Sequence, residues 1–99
     1  MNIKIERNNN ELMIALEGRL DTLTSSEVEE KLEESIDDVE KLIFDLKELE
    51  YMSSAGLRVL LSSVKTMEEQ GGEMMIRNVQ PAVMEVFEIT GFIDILNIE

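Results

Sequence analysis

Residues 51–58, Tyr51-Met52-Ser53-Ser54-Ala55-Gly56-Leu57-Arg58 (YMSSAGLR), join two hydrophobic stretches. Before them runs Lys41 to Leu46 (KLIFDL), short and mostly apolar, as in a central strand buried on both faces. After them Leu57, Leu60, Leu61, Val64 and Met67 recur on one face of a helix, which Gly71-Gly72 terminates. The octapeptide is therefore a strand-to-helix junction, with two hydroxyls and two very small residues at the mouth of the helix. Ser53 or Ser54 is placed to be the N-cap, its hydroxyl oxygen accepting an orphan backbone N–H for about 1 kcal/mol. Ala55 and Gly56 suit close helix-to-strand packing, and the same smallness leaves a serine approachable by another protein.

Outward from this junction the pattern alternates between strand and helix. Asn2 to Glu6 has period two (Ile3, Ile5), Asn8-Asn9-Asn10 reads as a turn, and Leu12, Ile14 and Leu16 resume the alternation up to Gly18, which together make a hairpin. Thr24 and Glu27 have capping-box spacing, and Val28, Leu32, Ile36 and Val39 then recur at helical intervals under an acidic outer face. Glu73 to Arg77 (EMMIR) reads as a strand. Pro81 suits the first turn of a helix that carries Val83, Val86, Phe87 and Ile89 and closes at Gly91. The β-branched content of Phe92 to Ile98 predicts a last strand. The order is β-β-α-β-α-β-α-β in one domain spanning residues 1–99, an α/β fold whose helix-linked strands favour a mixed sheet. Seven methionines, Met74 and Met75 among them, suit adaptable core filling.

Composition narrows the chemistry. The 22 acids against 9 bases leave a net charge of -13, which repels phosphate backbones and anionic bilayers, so neither nucleic-acid binding nor membrane insertion is expected. That field favours a partner presenting Lys and Arg, although acidic surfaces also serve solubility alone. Cysteine and histidine are both absent, which excludes disulfides, thiolate ligands, a Ser-His triad and a His-based zinc site. The amino-terminal MNIKIERNNNE has no apolar run long enough for a signal peptide or a membrane span, and a cytoplasmic location is expected.

Three carboxylates stand near element boundaries, Asp21, Asp45 and Glu48, without a spacing that specifies a metal or acid-base site. Gly71-Gly72 lacks a following Lys-Ser/Thr and no GxGxxG opens a helix, so no phosphate cradle is present and no cofactor is expected. A serine at a helix start has a different use. There the backbone N–H groups and the helix dipole favour negative charge, and a phosphate would add about -1.5 to -2 charges to a neutral hydroxyl.

DLKELEYMSSAGLRVLLSSVK, followed by GGEMMIRNVQPAVMEVFEITGF and preceded by GRLDTLTSSEVEEKL, resembles the STAS domain of bacterial anti-sigma factor antagonists over nearly the whole chain. The resemblance implies a STAS-like sheet with helices mainly on one face. It also implies a non-enzymatic switch: the unphosphorylated form binds an anti-sigma factor serine kinase and frees the sigma factor, phosphorylation switches binding off, and a PP2C-type phosphatase resets the protein. Aligned on Gly56-Leu57, the phosphoacceptor falls on Ser54, with Ser53 the alternative because it stands where the family commonly has aspartate. Asp21, Thr22, Ser53, Ser54, Ala55, Gly56, Leu57 and Arg58 form the implied partner-binding surface. The alternative is a phosphorylation-independent STAS interaction module in a signalling or lipid-transport complex.

Overall fold

A computed structural model describes all residues from Met1 to Glu99. Its elements are β1 (Asn2–Asn8), β2 (Glu11–Leu20), α1 (Thr22–Ser35), β3 (Lys41–Met52), α2 (Ser54–Glu69), β4 (Glu73–Arg77), α3 (Pro81–Thr90) and a 3-10 turn at Phe92–Asp94. They form a four-stranded sheet in the order β1-β2-β3-β4, with β1 antiparallel to β2 and the β2–β3 and β3–β4 pairs parallel. The hairpin turns at Asn9, whose φ of 59° asparagine tolerates better than most residues, and Asn8 pairs with Glu11.

The helices lie on one face. A cluster of 22 buried residues joins Leu12, Ile14 and Leu16 of β2, Leu42, Phe44 and Leu46 of β3 and Ile76 of β4 to Val28, Leu60 and Phe87 of the three helices. Each such side chain, fully buried, contributes about 1.5–3 kcal/mol. The alternate strand residues face the other way, where Lys4, Ala15, Asp45 and Arg77 lie level across the four strands. At the end of the molecule remote from α2's start, Arg7 donates to the carbonyls of Ser35 and Asp37, both at 3.2 Å, setting a positive charge against the C-terminus of α1.

Several expectations are corrected. β3 extends six residues past Leu46, to Met52, because it stays paired with β2 as far as Leu20, and register irregularities opposite Ala15/Glu17 and Gly18/Arg19 each insert an extra residue in it. Its buried residues therefore run Leu46, Leu49, Met52, a spacing of three that masks a strand. β2 likewise continues past Gly18 to Leu20. The capping box of α1 is Asp21 with Thr24 rather than Thr24 with Glu27, so the helix starts at Thr22. The buried face of α2 carries Val59 and Ser63 in place of Leu61, which is exposed, and Val64 is half-buried. On α3, Val83 and Phe87 are buried while Ile89 faces solvent. The last strand is replaced by the 3-10 turn: Gly91, at φ 79°, reverses the chain, the Leu96 amide bonds back to Phe92, and only Ile98 bridges to Ile76.

Candidate functional site at two helix starts

The parallel pairing of β2 with β3 ends level, with Leu20 opposite Met52, and the amide of Ser53 extends the ladder by donating to the Leu20 carbonyl at 2.9 Å. The next residue of each strand caps a helix: Asp21 for α1 and Ser53 for α2. Two helix N-termini therefore open side by side at the carboxyl ends of parallel strands, where open α/β sheets place their binding sites.

Asp21 is fully engaged. Its carboxylate accepts from the amides of Leu23 (3.1 Å) and Thr24 (3.0 Å), while the Asp21 amide donates to Thr24 Oγ1 at 2.8 Å. The Thr24 hydroxyl hydrogen has two acceptors in reach, the Arg19 carbonyl at 2.7 Å and the Asp21 carboxylate at 3.1 Å. The Thr24 amide, then the Thr24 hydroxyl, hold the Asp21 carboxyl below the ordinary 3.8 by stabilising its charged form.

The two serines of α2 differ. Ser53 is half-buried in extended conformation, and its hydroxyl oxygen accepts from the Gly56 amide at a long 3.4 Å. Ser54 is the first helical residue, exposed, with a hydroxyl that makes no hydrogen bond in the fold. Gly56 fixes how closely α2 sits. A Cβ there would lie 2.8 Å from Leu20 Cγ and Cδ2 and 3.0 Å from Met52 Cγ, and both neighbours are buried and have little room to retreat. Leu57 enters the core, Ala55 is half-buried, and Arg58 is exposed one turn below Ser54.

Asp21, Ser53 and the start of α2 are thus brought to one edge, with Thr22 exposed at the first position of α1. Asp45 lies on the helix-free face, where it accepts from the Lys47 amide and the Asn78 side chain, and Glu48 borders the same shallow groove. No three acidic residues gather to hold a metal ion. Three neighbours escape the sequence reading. Leu23 is 83% exposed in the first turn of α1, and the Arg19 guanidinium stacks 4.2 Å over the ring of its register partner Tyr51. The β3 bulges hide that pairing, and the only sequence sign of Leu23 is that it falls off the Val28-Leu32 face.

The site, on this fold, is a pair of helix starts with one serine hydroxyl engaged as a cap and the next exposed. The STAS domain profile matches residues 2–99, and the chain belongs to that family. It is 33% identical to the anti-sigma F factor antagonist of Paenibacillus polymyxa (99% of this chain, 86% of that one) and 30% identical to the anti-sigma-B factor antagonist of Bacillus subtilis (99% and 90%). Among solved structures it superposes on the anti-sigma factor antagonist SpoIIAA in its unphosphorylated form with a TM-score of 0.87 at 23% identity, over 99% of this chain and 88% of that one. The phosphorylated form of SpoIIAA superposes at 0.78 and 22% identity, over 99% and 91%. No helix is long and apolar enough to cross a membrane.

Proposed function

We propose that the protein is an anti-sigma factor antagonist: unphosphorylated, it binds an anti-sigma factor serine kinase and releases the sigma factor, and phosphorylation of Ser54 ends that binding. The observation that carries the reading is the division of labour between adjacent serines, one hydroxyl used as a cap and the next free and exposed at the helix start. Relatives named as anti-sigma factor antagonists along the whole chain support the partner class.

In this reading Ser54 is substrate. Its Oγ attacks the γ-phosphorus of ATP held by the kinase, the bond from phosphorus to the β-γ bridging oxygen breaks, ADP leaves, and the hydroxyl proton passes to a base of the kinase. The product is a dianion on a surface that was neutral at that atom, enough to oppose a partner fitted to the free hydroxyl. A PP2C-type phosphatase restores the serine by hydrolysis. The protein works in the cytoplasm, where its partners are.

Titration calorimetry with the cognate anti-sigma factor tests this. Unphosphorylated protein binds, and protein phosphorylated by that kinase binds at least about a hundredfold more weakly, a loss of roughly 2.7 kcal/mol. Equal affinity of the two forms overturns the switch.

A further inference from the structure

Of the four arginines, three have partners within the fold: Arg7 on the carbonyls after α1, Arg19 on Tyr51, and Arg77 beside Glu99 at 3.6 Å. Arg58 has no hydrogen bond, ion pair or aromatic contact, although the chain carries 22 acids. The cause lies in its surroundings. From Tyr51 to Met67 the sequence contains no carboxylate, while Arg58 and Lys65 are both there, so α2 itself offers Arg58 no acid one turn away on either side. The exposed stripe of α2 runs Ser54, Arg58, Leu61, Lys65, at steps of four, three and four, and ends before Glu68, while Ser62 to its side borders Glu29 and Glu33 of α1. The first turn of α2 also lacks the acid that the helix dipole would favour there.

From this we infer that Arg58 is the charge on which the switch turns: the α2 stripe docks a carboxylate-bearing segment of the partner through Arg58, and a phosphate on Ser54 captures Arg58 in cis. The net charge of the whole molecule favours a basic partner, but contact is made locally, and this stripe complements an acidic one. Ser54 and Arg58 are four apart on one exposed face, with the acceptor N-terminal to the cation, the better orientation for a helical ion pair. Guanidinium and phosphate match in a two-pronged, charge-assisted geometry. Phosphorylation then changes the stripe twice over, adding a dianion and occupying the one arginine that was free. The inference rests on Ser54 being the switch residue and adds how the phosphate acts.

Two measurements test it on full-length protein, the first with phosphoserine encoded genetically at position 54 and the second with and without it, so that neither depends on which serine the kinase selects. In a phosphorus NMR titration, Arg58→Ala raises the midpoint of the phosphate's second ionisation by about 0.3 pH; an unchanged midpoint overturns capture in cis. In calorimetry of the unphosphorylated protein with the cognate anti-sigma factor, Arg58→Ala weakens binding about fivefold and Arg58→Glu by more than about tenfold. A charge-reversed carboxylate on the partner recovers the loss for Arg58→Glu. Arg58→Glu binding as well as wild type overturns the docking role. Since Arg58 is exposed, both variants fold with unchanged melting temperature. If phosphoserine at 54 blocks binding while neither Arg58 effect is seen, the inference fails and the switch stands; if phosphoserine at 54 leaves binding intact, the switch itself fails.

Discussion

The two helix starts at the site are built in opposite ways. Asp21 opens α1 with a charged cap, bonds to two amides and a reciprocal bond from Thr24, whereas Ser53 opens α2 with one bond at 3.4 Å. The start of α2 is held instead from beneath, by the Ser53 amide on the Leu20 carbonyl and by Gly56 against Leu20 and Met52. Capping chemistry secures the first helix, and packing secures the second. A helix fastened by packing can leave its end hydroxyl free for modification without loosening its attachment to the sheet.

Substitutions at the two starts separate these modes, and the largest effect belongs to packing. Gly56→Val forces a branched side chain onto Leu20 and Met52 and lowers stability by roughly 2–3 kcal/mol in chemical denaturation. Asp21→Ala comes next: it removes the charged cap and leaves the Leu23 and Thr24 amides without their acceptor, seen as a clear fall in melting temperature at pH 7. The pH dependence follows from the lowered carboxyl. A group whose ionisation is depressed by folding stabilises the fold above its unfolded value, near 3.8, and that contribution disappears as pH falls through its folded value. Wild type and Asp21→Asn therefore differ in melting temperature at pH 7 and converge in acid. Ser53→Ala costs about 0.5–1 kcal/mol, at the low end for a cap because its bond is long. Ser54→Ala changes stability by less than about 0.5 kcal/mol, since its hydroxyl holds nothing in place.

The same contrast explains what could be read in the amino-acid sequence. Periodicity located β4 to the residue and gave the hairpin, the three helices and most of the core, because burial on one face writes itself into spacing. It stopped at Leu46 in β3, where bulges break the period and only pairing with β2 shows that Leu49 and Met52 are strand residues. The predicted strand at Phe92 to Ile98 failed for a related reason: β-branched content favours extension locally, but Gly91 turns the chain and leaves Ile98 alone in reach of β4. At the site, two serines at a helix mouth were legible, and the choice of cap was not. The geometry gives the cap to Ser53, as Ser54 is already inside the helix. The proximity of Asp21 to Ser53 depends on strand register, which no local pattern contains; its position at a strand end marks the acid, and only the resemblance to family members puts it beside the serine. Leu23, Arg19 and Tyr51 became neighbours of the site only through that register.

In the proposed switch adjacent serines have separate tasks, Ser53 capping and Ser54 receiving phosphate. Incubation of wild type, Ser53→Ala and Ser54→Ala with the cognate kinase and ATP, followed by mass spectrometry of the intact proteins and of the peptide containing residues 51–58, tests it most directly. One phosphate is expected on wild type and on Ser53→Ala, located at Ser54, and none on Ser54→Ala. Phosphate on Ser54→Ala at the wild-type rate, or located at Ser53 in wild type, would contradict it.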